Sequence, residues 1–223
     1  MEDQQSPEKP RRFWNRDLKI GWAVAFVTGL VLIDIIGIGF GRFLPWLQSM
    51  TGGPEAHTGV GKQLVFLELQ PLTGNPPLLS AADLQGHAVL LNFWGTWCPP
   101  CRSELPHVAA LSKRLGNHET FRLAAISYSP GGQWDGMESL RGETTELLKR
   151  LNLDLPTYAD SDSKTLAAVD QVIGFEGFPT TVLLDRHGVI RAVWSGYRPG
   201  VETEIEQYVD KILSEIDDEQ ERQ

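Results

Sequence analysis

The chain of 223 residues has room for one membrane segment and one domain of ordinary size. Its hydrophobic content of 41% and its seven tryptophans are sufficient for a packed core. The formal net charge of −9 argues against nucleic acid as a partner, because a phosphate backbone repels an acidic protein.

The N-terminal part has the pattern of a membrane anchor. Residues 1–19 are polar and are expected to form a cytoplasmic tail, whereas residues 20–41 carry a single charge, Asp34. At about 1.5 Å per residue, such a helix spans the roughly 30 Å hydrocarbon core of a bilayer. A cleaved signal peptide is the main alternative. A buried soluble helix fits less well, because the segment is apolar on all faces.

Basic residues predict how this anchor is oriented. They are concentrated on the approach to residue 20, and only Arg42 follows the segment closely. The positive-inside rule therefore places the N-terminus in the cytoplasm. We predict a single-pass protein of the cell (inner) membrane, with the part of the chain that follows the anchor on the extracytoplasmic or periplasmic side.

A folded domain is predicted over residues 63–217, between a flexible linker at 42–62 and a polar tail at 218–223. Residues 48–62 favour a linker because they contain four glycines and one proline without periodicity.

Patterns of hydrophobic residues within the domain predict the following elements in chain order: strand 64–70, a turn at 73–77, a return strand from Leu78, a helical turn at 80–86, strand 88–94, a helix to about Leu115, strand 121–128, helix 134–152, strand 155–159, helix 163–172 capped by Asp162 or Ser163, a strand headed by Pro179, strand 189–194 and helix 201–216.

Cys98 and Cys101 lie where a buried strand passes through a short turn into a helix. They are the only cysteines in the chain, so neither belongs to a larger disulfide framework. Two cysteines at this spacing can close a small disulfide ring, and a helix N-terminus stabilises a thiolate there. The pattern favours a redox-active pair over a metal site completed by distant residues or an inert structural disulfide.

The stretch Asn-Phe-Trp-Gly-Thr-Trp-Cys-Pro-Pro-Cys resembles the active-site sequence of thioredoxin. With Arg-Ser-Glu-Leu-Pro following, it is similar to the membrane-anchored ResA/TlpA-like branch of the thioredoxin superfamily. The resemblance covers residues 63–214. It implies an α/β thioredoxin-like fold, with a central mixed sheet flanked by helices, an N-terminal β-hairpin and a central insertion. It also implies thiol–disulfide exchange outside the cytoplasm, with no cofactor besides the Cys98–Cys101 disulfide.

The two cysteines are expected to divide the chemistry. Cys98 is the predicted nucleophile because it lies at the start of the helix, where we expect it to be exposed. Cys101 lies one turn further in, is expected to be more buried, and would resolve the mixed disulfide. Pro99 and Pro100 would stiffen the ring and omit two backbone donors, and Trp97 would shield the pair.

Three further residues are candidates through the resemblance. Thioredoxins carry a buried Asp where this chain has Asn92, and the family's compensating acid is matched by Glu104. Glu104 would assist proton transfer at Cys101, although an exposed helical Glu is the simpler interpretation of the residue alone. The resemblance implies a cis Pro179 against the cysteines, with the backbone of Phe178 pairing with a substrate strand. An ordinary trans proline heading an edge strand is the alternative.

Three functions are compatible with these motifs. The first is a membrane-tethered reductase of protein disulfides, with apocytochrome c among its expected substrates and a transmembrane electron donor of the CcdA/DsbD type. The second is a general extracytoplasmic oxidase or isomerase. The third, a non-enzymatic metal chaperone, is disfavoured because the sequence shows no obvious ligand set, and no metal site is predicted. The motif alone does not separate the first two, since the direction of exchange depends on relative reduction potentials.

Overall fold

The computed structural model describes residues 53–130 and 136–222. The predicted cytoplasmic tail, the predicted anchor at 20–41 and the first part of the linker lie outside these residues. Among the helices of the described ranges, none is both long and apolar enough to cross a membrane.

A mixed sheet of seven strands forms the centre of the domain. In chain order the strands are β1 (Glu68–Thr73), β2 (Leu79–Ser80), β3 (Ala88–Gly95), β4 (Phe121–Tyr128), β5 (Thr157–Ala159), β6 (Thr180–Leu184) and β7 (Ile190–Ser195). Their order across the sheet is β2-β1-β5-β4-β3-β6-β7. The strands β3, β4 and β5 are parallel, whereas β1, β2, β6 and β7 pair antiparallel with their neighbours.

Four α-helices cover both faces of this sheet: α1 (Pro99–Leu115), α2 (Met137–Arg150), α3 (Lys164–Ile173) and α4 (Val201–Glu221). One face packs on α3, and the other packs on α1, α2 and α4. Every residue of β3 is buried, because this strand lies inside the sheet with helices on both sides. The expected α/β fold with a central mixed sheet is therefore confirmed.

The N-terminal hairpin is present, but β1 begins later than predicted. Leu69 of β1 pairs with Leu79 of β2, as the predicted turn between them requires. Residues 64–67, expected in the strand, lie before it, and the N–H of Leu64 donates to the carbonyl of Gly188 in the turn before β7. Leu64 and Leu67 are buried there, although neither belongs to a strand.

The C-terminal part of the predicted linker is ordered in the structure. Pro54–Ala56 form a 3₁₀ helix, and Pro54 is buried. The N–H of Gly61 donates to Ile190 at 2.8 Å, and the N–H of Ile190 donates back to Lys62 at 2.9 Å. Residues 61 and 62 are therefore hydrogen-bonded to the edge strand β7, which explains how this glycine-rich stretch is held in place without a periodic pattern of its own.

Several helix and strand ends also differ from the prediction. The strand predicted at 155–159 begins at Thr157, and α4 continues beyond residue 216 to Glu221, with residues 217–222 exposed. Of the two caps expected at α3, Asp162 accepts a hydrogen bond from the N–H of Lys164 at 3.3 Å, and Asp160, which was not expected, accepts from the N–H groups of Thr165 and Leu166. Ser163 makes no such bond, because its backbone is left-handed, with φ of 56°.

Candidate functional site

The two cysteines form a disulfide at the N-terminus of α1. Cys98 is the N-cap residue, and Pro99 and Pro100 are the first two residues of the helix. Because neither proline has an N–H, the first backbone N–H of the helix is that of Cys101, which donates to Cys98 Sγ at 3.3 Å. A negative charge that develops on Cys98 Sγ is therefore met by a fixed backbone donor and by the positive end of the helix dipole.

Cys98 is buried, and the expectation of an exposed sulfur at this position is wrong for the disulfide form. Its exposed fraction is 3%, against 0% for Cys101. Both sulfurs belong to a buried cluster that also contains Trp94, and Phe178 packs against this cluster. A side chain at the start of an isolated helix is exposed to solvent. Here Phe178, in the loop before β6, packs against the cluster that contains both cysteines. Cys101 is the more buried of the two, as predicted.

Trp97 is the exposed aromatic side chain beside the disulfide, with 41% of its surface accessible. Its indole N–H donates to the backbone carbonyl of Tyr128 at 3.2 Å, which fixes the ring at the end of β4. The ring contacts Phe178 edge-on, with 5.5 Å between centroids. Phe178 in turn lies 5.4 Å from Tyr128 and 5.1 Å from Phe175. Trp97 and Phe178 therefore form a supported aromatic surface beside the cysteines.

The peptide bond between Phe178 and Pro179 is cis. Pro179 is buried, and its carbonyl accepts a hydrogen bond from the N–H of Gly196 at 2.8 Å. The strand that follows it is not an edge strand, because β6 lies between β3 and β7. Pro179 can precede this interior strand since it stands one residue before the first paired position, Thr180.

Glu104 is buried at 2% exposure, so the interpretation as a surface helical residue is wrong. It lies on α1 one turn after Cys101, and the helix continues through Pro106 to Leu115. Glu104 Oε2 accepts a hydrogen bond from Asn92 Nδ2 at 2.9 Å, and Oε1 accepts one from Thr181 Oγ1 at 3.3 Å. Burial raises the pKa of Glu104 to about 7, although these two hydrogen bonds lower it. A carboxyl with such a pKa can both take and give a proton at neutral pH.

Two groups of residues around the site were not found by sequence reasoning. Thr181 carries no motif, and its place opposite Asn92 appears only once the register of β3 and β6 is known. Tyr128, whose backbone carbonyl accepts the hydrogen bond from Trp97, also donates from its buried hydroxyl to Asp160 at 2.7 Å. The available signal was Asn92, a polar residue within the otherwise apolar run 88–94. A polar side chain in a buried strand needs a hydrogen-bond partner, and Thr181 is one of its partners here.

Across residues 53–130 and 136–222, no three His, Cys, Asp or Glu side chains are grouped as they would be around a metal ion.

A dithiol–disulfide pair at a helix N-terminus, with a buried carboxyl behind it, is the arrangement of a thioredoxin-like thiol–disulfide oxidoreductase.

Comparison with known proteins agrees with this class. The sequence profile of the redoxin family matches residues 59–211. The chain is 27% identical to the thiol-disulfide oxidoreductase ResA of Halalkalibacterium halodurans, over 93% of this chain and 99% of that protein. It is 32% identical to the thiol:disulfide interchange protein DsbE of Xylella fastidiosa, over 74% of this chain and 78% of that protein.

A solved structure supports the fold. The thiol:disulfide interchange protein of the thioredoxin family from Chlorobium tepidum superposes with a TM-score of 0.53 at 23% identity, covering 68% of this chain and 95% of that chain. The chain belongs to the redoxin family and, within it, to the thiol–disulfide oxidoreductases of the ResA/DsbE type.

Proposed function

We propose that this protein is a membrane-tethered reductase of extracytoplasmic protein disulfides, with apocytochrome c among its substrates in cytochrome c maturation. The observation that carries the proposal is the Cys98–Cys101 pair at the start of α1 with the buried carboxyl of Glu104 one turn behind it. Tethering is supported by the 22-residue apolar run at 20–41 and the basic residues before it.

The first step is attack by Cys98. In the reduced protein, the Cys98 thiolate attacks one sulfur of a substrate disulfide, whose S–S bond breaks as a mixed disulfide forms. The first substrate thiolate leaves and takes a proton from solvent. Cys98 suits this role because it lies at the N-terminus of α1 and its Sγ accepts a hydrogen bond from the N–H of Cys101, both of which favour the thiolate. Trp97, Phe178 and Pro179 would contact the substrate chain around the reacting sulfur.

The second step is resolution by Cys101. Its thiol passes a proton to the carboxylate of Glu104, and the resulting thiolate attacks Cys98 Sγ. The Cys98–Cys101 disulfide forms, and the second substrate sulfur leaves as a thiolate that is protonated by solvent. Two electrons have then passed to the substrate, and Glu104 releases its proton to solvent. A dithiol of a transmembrane donor of the CcdA/DsbD type would reduce the pair again.

Trapping of mixed disulfides tests this division of labour. The Cys101→Ser variant lacks the resolving thiol, so it should accumulate covalent adducts with partner proteins that are dissolved by a reductant. The matched Cys98→Ser variant should accumulate few or none and should be inactive.

The trapped partners also test the direction of exchange. Adducts with apocytochromes and a membrane electron carrier support the reductase, whereas adducts with many unrelated secreted proteins indicate a general oxidase or isomerase. A reversed pattern, in which Cys98→Ser captures partners, would show that the nucleophile has been assigned to the wrong sulfur.

A further inference from the structure

A buried polar cluster lies one turn along α1 from the disulfide, among side chains that are mostly apolar. It joins three elements: Asn92 from β3, Glu104 from α1 and Thr181 from β6, each with an exposed fraction of 2% or less. The antiparallel register of β3 and β6 places Asn92 directly opposite Thr181, and α1 places Glu104 over the pair. Three backbone elements therefore fix the position of one carboxyl.

The hydrogen bonds of this cluster suit an ionised carboxylate. Asn92 Nδ2 donates to Glu104 Oε2 and to Thr181 Oγ1, each at 2.9 Å. The hydroxyl of Thr181 then donates to Glu104 Oε1 at 3.3 Å. Asn92 Oδ1, by contrast, is buried without a hydrogen-bond partner among the described residues. Turning the amide over would bring this oxygen against the carboxylate and lose both donated bonds, so the amide is held as a donor.

The other groups around Glu104 do not supply this stabilisation. Glu104 lines a shared surface pocket with His107 of α1 and with Glu202 and Glu206 of α4, and Tyr197 before α4 lies within reach of its charge. Glu202 and Glu206 are themselves acids, so neither can favour ionisation of Glu104, and the two groups that lower its pKa are Asn92 and Thr181. The strands β3 and β6 contribute no charge at this point, because their residues here are Asn92 and Thr181.

We infer that Asn92 and Thr181 are positioning residues for proton transfer: they hold the Glu104 carboxyl one helical turn after Cys101 and keep its ionised form accessible in a buried site. This inference rests on the proposed function, in which Glu104 accepts the proton of Cys101. Burial favours the protonated acid, which cannot accept that proton. The two donors oppose this effect, so the reaction depends on side chains that touch neither sulfur nor substrate.

The inference predicts how Glu104 titrates when a donor is removed. Loss of the Asn92 amide should raise the pKa of Glu104 by about one to two units, the size of a hydrogen bond to a charged group. From a starting pKa of about 7, this leaves roughly a tenth or less of Glu104 ionised at pH 7. Loss of the Thr181 hydroxyl should give a smaller rise in the same direction, because its bond is longer.

The test is a direct titration of the oxidised full-length protein, labelled with ¹³C at the glutamate side-chain carboxyl. The Glu104 signal is assigned as the one missing from Glu104→Gln. Its titration is then followed in Asn92→Leu and in Thr181→Val, which keeps the shape of the side chain and removes only the hydroxyl. Thr180→Val is the matched control, because Thr180 is the next residue, is equally buried, and donates to Gly177 rather than to Glu104.

The inference expects upward shifts in Asn92→Leu and Thr181→Val and none in Thr180→Val. A titration of Asn92→Leu that overlays the wild type overturns it, and so does a Thr181→Val titration that matches Thr180→Val. If Asn92→Leu does not fold, the two threonine variants decide. The proposed function has a separate readout: if Glu104→Gln leaves the pH profile of substrate reduction unchanged, the role of Glu104 fails, whatever the titrations show.

Discussion

The buried carboxyl of Glu104 should make the stability of the domain depend on pH in an unusual direction. Its pKa is raised from 4.5 to about 7 by burial, so the folded protein binds this proton more tightly than the unfolded chain. Between these two values the native state carries more protons than the unfolded state. Stability from this group is therefore present below about pH 4.5 and is lost as the pH rises towards 7.

The size of the effect follows from the shift. A difference of about 2.5 between the two pKa values, at about 1.4 kcal/mol for each whole pKa step, corresponds to about 3.5 kcal/mol once both states are fully ionised. Glu104→Gln is neutral at every pH, and its amide oxygen can still accept a hydrogen bond from Asn92. The variant should consequently be more stable than the wild type by up to about 3 kcal/mol at pH 8, and the difference should vanish near pH 4.5.

Urea unfolding of the two oxidised proteins between pH 4.5 and 8 measures this difference. Glu119→Gln is a suitable control, because Glu119 is an exposed glutamate in the turn between α1 and β4. The free energy of unfolding of Glu119→Gln should match that of the wild type at every pH in this range. Parallel stability curves for Glu104→Gln and the wild type over this range would refute the reasoning, since they would mean that folding does not perturb the Glu104 carboxyl.

Three further predictions follow from the site and the topology. A membrane-impermeant thiol reagent should label reduced Cys98 from outside sealed cells, and labelling only after permeabilisation of the inner membrane would contradict the N-in orientation. Glu104→Gln should lower the thiol pKa values because it removes a negative charge beside Cys101, and unchanged thiol titrations would mean that the carboxylate does not act on the sulfurs. Tyr128→Phe should cost about 1.5–3 kcal/mol in urea unfolding, because it removes a buried hydrogen bond to Asp160, and a loss below about 0.5 kcal/mol would contradict that value.

The elements closest to the cysteines were predictable because local pattern and tertiary environment agree there. Residues 88–94 and 121–128 are apolar runs, and they form the two central parallel strands of the sheet, buried on both faces. The helix predicted to reach Leu115 ends at that residue. In these stretches, the period, length and turn residues all favour one structure.

The parts that sequence reasoning missed depend on contacts between distant residues. Cys98 begins a helix, a position exposed in isolation, but the loop that carries Phe178 buries it. Asp160 caps α3 from a position several residues before the helix, because the chain turns back between them. Thr181 belongs to the site only through the pairing of β6 with β3. No local pattern contains this information, since each case is decided by the register or path of a second segment.

The central claim is that the Cys98–Cys101 pair works as a reductant outside the cytoplasm. The redox state of this pair in intact cells tests it most directly, by rapid acid quenching, alkylation of free thiols and separation of the alkylated from the unmodified protein. Cys98 and Cys101 should be mainly in the dithiol form, and they should shift to the disulfide when the membrane electron donor is removed. A pair found mainly as the disulfide in untreated cells would contradict the claim and indicate an oxidase.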